Sequence, residues 1–99
     1  MNDYTRFVIL LNTVNGSPAT EGLIRAHVAF LRKLDAKGKL VMCGPFTDFK
    51  GGMVIVKAAN IDDATRIAKR DPFVVEGVRT FEIRTWELSC EENNHMGMG

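Results

Sequence analysis

The 99-residue sequence predicts an α+β fold of the ferredoxin-like class, in which a four-stranded antiparallel sheet carries two helices on one face. Three observations support this prediction. Strand-like and helix-like segments follow one another in the order strand, helix, strand, strand, helix, strand. The connection between the second and third strands is too short for a parallel crossover, so these strands must pair antiparallel. "FVIL" at residues 7–10 and "MVIV" at residues 53–56 each open a strand–helix unit, as the two halves of a split βαβ fold require.

The first strand and the first helix have clear local signals. Residues 5–12 are rich in β-branched and aromatic side chains and apolar on both faces, which predicts a covered or central strand. Ser17 followed by Pro18 fits a helix N-cap with proline at the first helical position. The helix is expected to run to about Lys37, because Gly38 stands where a left-handed C-cap would.

A hairpin follows the first helix. "KLVMCG", residues 39–44, predicts a short second strand that Gly44 and Pro45 bring to an end. "PFTDFKGG" forms the connecting loop. "GMVIVKA", starting at Gly52, predicts a third strand paired antiparallel with the second.

The second half of the chain repeats the pattern. Asn60 is expected to cap a shorter helix, which ends at Pro72 because proline disfavours the α conformation of the preceding residue. "DPFVVEG" is expected to be an irregular link, and residues 78–88 the longest strand. The sequence therefore predicts one domain over residues 1–88, followed by a polar and flexible tail over residues 89–99.

The uncovered face of the sheet bears on assembly. The fourth strand alternates so that neither of its sides is purely polar, with Thr80, Glu82 and Trp86 on one side and Phe81 and Ile83 on the other. A small domain with a half-apolar open sheet is expected to form a homodimer, and two such sheets facing each other would close into a dimeric α+β barrel.

Composition narrows the classes of partner. Thirteen basic and twelve acidic side chains leave a net charge of +1, which disfavours nucleic acid and anionic membranes as partners. The N-terminal apolar run is too short for a signal peptide or a membrane span, so a cytoplasmic location is expected. Two cysteines, Cys43 and Cys90, suggest neither a disulfide framework nor a metal site, and phosphate-loop and nucleophile-elbow motifs are absent from the sequence.

His27 is the residue most suggestive of chemistry. It falls near the centre of the apolar stripe of the first helix, where a histidine is either a core residue hydrogen-bonded to a neighbour or a general base. Asp71 is the preferred carboxylate partner, because the following proline fixes its backbone and Phe73 would anchor the segment in apolar surroundings. Its alternative role is a solvated helix-ending aspartate. Asp48, in the loop, is a weaker candidate.

The "CGPF" turn could supply another wall of a binding site. Gly44 allows close approach of the backbone and Pro45 leaves no amide hydrogen to satisfy, although such a pair more often simply ends a strand. Cys43 has no base beside it in the sequence, so it is expected to be a buried structural thiol rather than a nucleophile. Other expected apolar walls of a substrate site are Phe30, Phe46 and Phe73.

These segments together resemble the YCII-related (YciI-like) family of small dimeric α+β barrel proteins. The resemblance is carried by "RAHVAFLRKLDAKGKLVMCGPFTD", "GGMVIVKAANIDDATRIAKRDPFVVEGV" and the strand ending in Trp86, and it spans the chain up to the tail. It implies that the family's active-site pair, a histidine in the first helix and an aspartate in a D-P-F segment, corresponds to His27 and Asp71. It also implies a pocket between helices and sheet.

The resemblance implies an enzyme without a cofactor or metal that acts on small cyclic or aromatic molecules by proton abstraction or elimination. One family member is similar to a dehydrochlorinase that acts on a chlorinated hydroxyhydroquinone. In this interpretation His27 is the acid and base, and Asp71 orients its ring. Two alternatives are a non-catalytic dimeric domain that binds a small ligand, and a haem-binding protein that uses His27.

Overall fold

The computed structural model describes residues 2–99, and it confirms the predicted order of strands and helices. The strands are β1 (Thr5–Thr13), β2 (Leu40–Pro45), β3 (Gly51–Val56) and β4 (Arg79–Glu87). The helices are α1 (Glu21–Ala36), α2 (Ile61–Arg70) and α3 (Pro72–Val75), of which α3 is a single turn.

The four strands form one antiparallel sheet in the order β2-β3-β1-β4. At the centre, Phe7 of β1 lies opposite Val56 of β3 and Thr85 of β4. Each helix therefore connects two parallel strands that have a third, antiparallel strand between them. This is the split βαβ topology, so the predicted fold class is confirmed.

The hydrophobic core lies between the sheet and the helices. Side chains of β1 alternate strictly, with Phe7, Ile9 and Leu11 pointing under the helices and fully or almost fully buried. Helix α2 packs closely on them through its apolar face. Helix α1 buries only Leu34 completely, near its C-terminal end. The first half of α1 is therefore less tightly packed on the sheet than its last turn.

The start of α1 differs from the prediction. Thr20, not Ser17, is the N-cap, and its hydroxyl accepts a hydrogen bond from the backbone N–H of Leu23 at 3.2 Å. Ser17 and Pro18 precede the helix, where the Ser17 N–H closes a turn onto the carbonyl of Val14. Serine and threonine cap almost equally well, so local preference alone could not select between the two positions.

The other helix ends agree with the sequence signals. Gly38 has a φ of +71°, as the predicted left-handed C-cap requires. Asn60 caps α2, because its side chain accepts a hydrogen bond from the Asp63 N–H at 2.9 Å. The "DPFVVEG" segment is not irregular, however. Pro72 ends α2 and at once begins α3, for which Asp71 is the N-cap.

The face of the sheet opposite the helices is uncovered and has an apolar centre. The strand registers place Val8 and Leu10 of β1 beside Met53 and Ile55 of β3 on this face. Trp86, at the edge of the same face, is 44% exposed. The C-terminal segment forms a 3₁₀ turn at Glu91–Asn93 and then a short helical turn, α4 (Asn94–Gly97), in which residues 94–96 have a left-handed backbone. Within residues 2–99, no helix has the length and apolar character needed to cross a bilayer.

Gly51 gives a stability prediction, because it starts β3 with a φ of +145° and lies against β1. A Cβ at this position would overlap the backbone oxygen of Leu11. We expect Gly51→Ala to lower the free energy of unfolding by more than about 1 kcal/mol. Gly22→Ala is the matched control, since nothing lies within 4 Å of the added methyl group and alanine favours the helix. Urea denaturation measures both; equal stability of the two variants would contradict the prediction.

Candidate functional site

A cavity of about 470 Å³ lies between the first half of α1 and the sheet. Ile24 and Val28, which belong to the apolar stripe of α1, are 45% and 38% exposed because they border this cavity instead of packing into the core. Opposite them, the floor is formed by the ends of β2 and β3. A hollow of this volume with apolar walls is typical of a site for a small organic ligand.

His27 lies on the wall of the cavity, and its ring contacts Asp71. The distance between His27 Nδ1 and Asp71 Oδ1 is 2.8 Å, although the two residues are 44 positions apart in the chain. Both side chains are shielded from solvent, with 14% of His27 and 3% of Asp71 exposed. Asp71 does not line the cavity, so it lies behind the imidazole as seen from the ligand space.

Helix α3 fixes the orientation of the Asp71 carboxylate. As the N-cap of α3, Asp71 accepts a hydrogen bond from the Phe73 N–H through Oδ1 at 2.9 Å. The same oxygen faces His27 Nδ1. Because an ionised carboxylate can only accept hydrogen bonds, Nδ1 must carry the ring proton in this contact. In the neutral ring Nε2 then keeps its lone pair, and it is the nitrogen that a ligand can use.

Phe73 holds the imidazole from the side. The two rings are stacked, with centroids 4.0 Å apart and planes inclined by 12°. Phe73 is buried and also lines the cavity. The ring of His27 is therefore fixed by a hydrogen bond in its plane and by an aromatic ring against its face.

Only some of the residues predicted to form the walls of the binding site line the cavity. Gly44, Pro45 and Phe73 line the cavity. Phe30 packs against the hydrophobic core, and Phe46 lies at the β2–β3 connection; neither lines the cavity.

Cys43 is not the buried thiol that the sequence predicted. The residue is exposed at the edge strand β2 and lines the cavity. Partial burial of its thiol raises the pKa, and the Asp35 carboxylate raises it further. Because a raised pKa keeps the thiol protonated at neutral pH, Cys43 is poorly suited to be a nucleophile.

Sequence reasoning missed Arg79 as a site residue. Arg79 is the first residue of β4 and lines the cavity, and its guanidinium carbon lies 5.0 Å from the centre of the Phe73 ring. The alternation of β4 offers a usable signal, since side chains two residues apart share a side and Arg79 therefore lies on the same side of the strand as Phe81 and Ile83. Among residues 2–99 no three His, Cys, Asp or Glu side chains come close enough together to hold a metal ion.

The chain is similar to a known family, to a curated protein and to a solved structure. The family model described as the YCII-related domain matches residues 5–87. The uncharacterized protein YjpA of Bacillus subtilis (strain 168) is 30% identical over 82 residues, which are 83% of this chain and 96% of that protein. The solved structure of 5-chloro-2-hydroxyhydroquinone dehydrochlorinase (TftG) from Burkholderia phenoliruptrix AC1100, in complex with 2,5-dihydroxybenzoquinone, has a TM-score of 0.70 and 25% identity, covering 83% of this chain and 93% of that one.

Proposed function

We propose, from the premise that this chain belongs to the YCII-related family, that it is a cofactor-independent enzyme that removes a proton from a small cyclic or aromatic substrate. The observation that carries this proposal is the His27–Asp71 contact of 2.8 Å at the wall of an apolar cavity. The likeness to a dehydrochlorinase supports elimination as the type of reaction.

In the proposed reaction His27 is the catalytic base and Asp71 a positioning residue. Nε2 takes a proton from an acidic C–H or O–H of the substrate, so that one bond to hydrogen breaks and an N–H bond forms. The electron pair left behind forms a double bond while a neighbouring leaving group departs with its own bonding pair. Asp71 holds the ring in the required tautomer and stabilises the imidazolium that results.

The environment of the pair supports this role. The cavity wall around His27 is built from aliphatic and aromatic side chains, which exclude water from the ring of a bound substrate. The imidazole is fixed before any substrate arrives, because Asp71 and Phe73 both contact it. A base that is already oriented loses little conformational freedom when the reaction begins.

The direct test measures whether the protein converts members of a small panel of candidate substrates. Purified protein is incubated without oxygen with 5-chloro-2-hydroxyhydroquinone, and release of chloride is followed. A thermal-shift screen of small cyclic acids, quinols and lactones extends the test to other substrates. We expect a ligand from the panel to raise the melting temperature and to be converted. If ligands bind but none is converted, the result would favour the alternative that this chain is a non-catalytic binding domain.

We also propose that two copies associate through the open face of the sheet. Three apolar residues at the centre of this face, Val8, Leu10 and Met53, are only half-buried in the single chain. Leu10 lies near the middle of the face, opposite Met53 and Glu82. A second copy with the same patch would cover it by two-fold symmetry.

Leu10→Glu tests this association, because the substitution places a charge in the centre of the proposed contact. We expect wild-type protein to have the mass of a dimer in analytical ultracentrifugation and Leu10→Glu to have the mass of a monomer. Val75→Glu is the matched control; Val75 is 64% exposed on the helix side, so this variant should remain a dimer. A monomeric wild type would contradict the proposal.

A further inference from the structure

We infer that Arg79 makes the cavity selective for planar organic anions, that is, phenolates, enolates or aromatic carboxylates, an inference that rests on the proposed function of the cavity and names its substrate class.

The first support is the unbalanced charge of Arg79. The side chain is half-buried, and its Nη1 donates a hydrogen bond to the carbonyl of Val78 at 2.9 Å. Among residues 2–99 no carboxylate forms an ion pair with it. A guanidinium has five N–H donors, so most of them remain for a ligand. A half-buried cation without a counter-ion is a favourable place for an anion.

The second support is the composition of the cavity wall. No aspartate or glutamate is among the residues that line it, and Arg79 is its one permanently charged side chain. The rest of the wall is mainly aliphatic. Low polarity strengthens the attraction between the guanidinium and an anion compared with the same pair in water. A ligand with an apolar ring and one negatively charged oxygen matches both parts of this wall.

The third support is the position of Arg79 relative to the proposed base. Phe73 contacts both groups, with its ring centre 5.0 Å from the guanidinium carbon of Arg79 and 4.0 Å from the imidazole centroid of His27. His27 and Arg79 also both line the cavity, so a ligand bound there has the proposed base and the guanidinium in the wall of the same hollow. When His27 removes a proton from such a ligand, negative charge develops on the ring and its oxygens, and Arg79 stabilises that charge.

The inference is tested with 4-nitrophenolate and its uncharged counterpart 4-nitroanisole. Binding to the full-length protein is measured by equilibrium dialysis, and ionisation of bound 4-nitrophenol by its visible absorbance. We expect the phenolate to bind about 10- to 100-fold more tightly than the anisole, and its apparent pKa to fall on binding. Arg79→Gln should remove this preference while leaving the affinity for the anisole within about twofold.

Two further variants sharpen the test. Arg79→Lys keeps the positive charge and should retain part of the preference. Arg32→Gln removes an equal charge from an exposed position of α1 that does not line the cavity, and it should change nothing. If Arg79→Gln does not fold, the test uses the wild type alone, whose preference for 4-nitrophenolate over 4-nitroanisole should become smaller as salt is added.

Several outcomes would overturn the inference. The first is equal affinity of the wild type for the two nitro compounds. The second is that Arg79→Gln weakens the binding of both compounds by the same factor. The third is that neither 4-nitrophenolate nor benzoate binds at millimolar concentration. Its failure is distinguishable from failure of the proposed function, because His27→Gln should keep the phenolate preference. A His27→Gln variant with undiminished turnover would end the general-base proposal and leave the anion selectivity of Arg79 intact.

Discussion

His27→Gln is expected to lower the turnover of a verified substrate by about 10²- to 10⁴-fold, the contribution of a well-placed general base. Glutamine is close to histidine in size, and its amide can still meet the Asp71 carboxylate, but it cannot accept and return a proton at neutral pH. The loss should appear mainly in kcat, because the apolar wall that binds the ring of the substrate is unchanged. Steady-state kinetics measures this effect.

His95→Gln is the control for this prediction. His95 is the second of the two histidines in the sequence, and it lies in the C-terminal segment without lining the cavity. This variant should keep the wild-type kcat. Thermal unfolding of both variants verifies that the fold is retained. If His27→Gln is as active as His95→Gln, His27 has only a structural role.

The order of the elements could be predicted because local patterns and topology agree. The apolar residues of β1 alternate in burial, Gly38 requires a positive φ, and the short β2–β3 connection permits only a hairpin. The errors have local causes. Ser17 and Thr20 offer equivalent caps, and Asp71 acts as cap for a helical turn too short to show any periodicity in the sequence.

The cavity could not be predicted from the first helix alone. Ile24, Val28 and Leu34 belong to the same apolar stripe, yet only Leu34 is buried in the core, whereas the other two border empty space. Hydrophobic periodicity reports which face of a helix turns inward, and it does not report how closely that face approaches the sheet. The distance between helix and sheet depends on packing along the whole element.

The contact between His27 and Asp71 could be predicted only in part from the sequence. Periodicity turned His27 inward, but the choice of Asp71 from among the acidic residues depended on the Pro72 signal and on the family resemblance. The wall around the pair was less predictable still. Phe30 and Phe73 are both aromatic and near the candidate pair, but Phe30 packs in the core and Phe73 stacks on His27. Residue type alone could not show which of the two phenylalanines lines the cavity, because that depends on the direction of each side chain in three dimensions.

Asp71→Asn is expected to reduce turnover by about 10- to 100-fold while the fold remains intact, because an amide oxygen stabilises the imidazolium less than a carboxylate does. The asparagine oxygen can still accept the hydrogen bond from the Phe73 N–H, so the N-cap of α3 is preserved. The same oxygen faces His27 Nδ1, so the Nδ1–H group also keeps its acceptor. The tautomer is therefore retained, and the variant loses only the negative charge beside the ring.

Asp71→Ala separates this effect from simple loss of structure. Alanine removes both hydrogen bonds of the carboxylate, so we expect the free energy of unfolding to fall by about 2–4 kcal/mol, from a lost cap and an unpaired buried imidazole nitrogen. Asp71→Asn should lose much less stability, and Asp48→Asn, on the exposed β2–β3 loop, should lose neither stability nor turnover. ¹⁵N NMR of the His27 ring reports the tautomer directly, and it should find the proton on Nδ1 in the wild type and in Asp71→Asn alike. Undiminished turnover of Asp71→Asn would show that the carboxylate does not stabilise the imidazolium, and the proposed role of Asp71 would then be wrong.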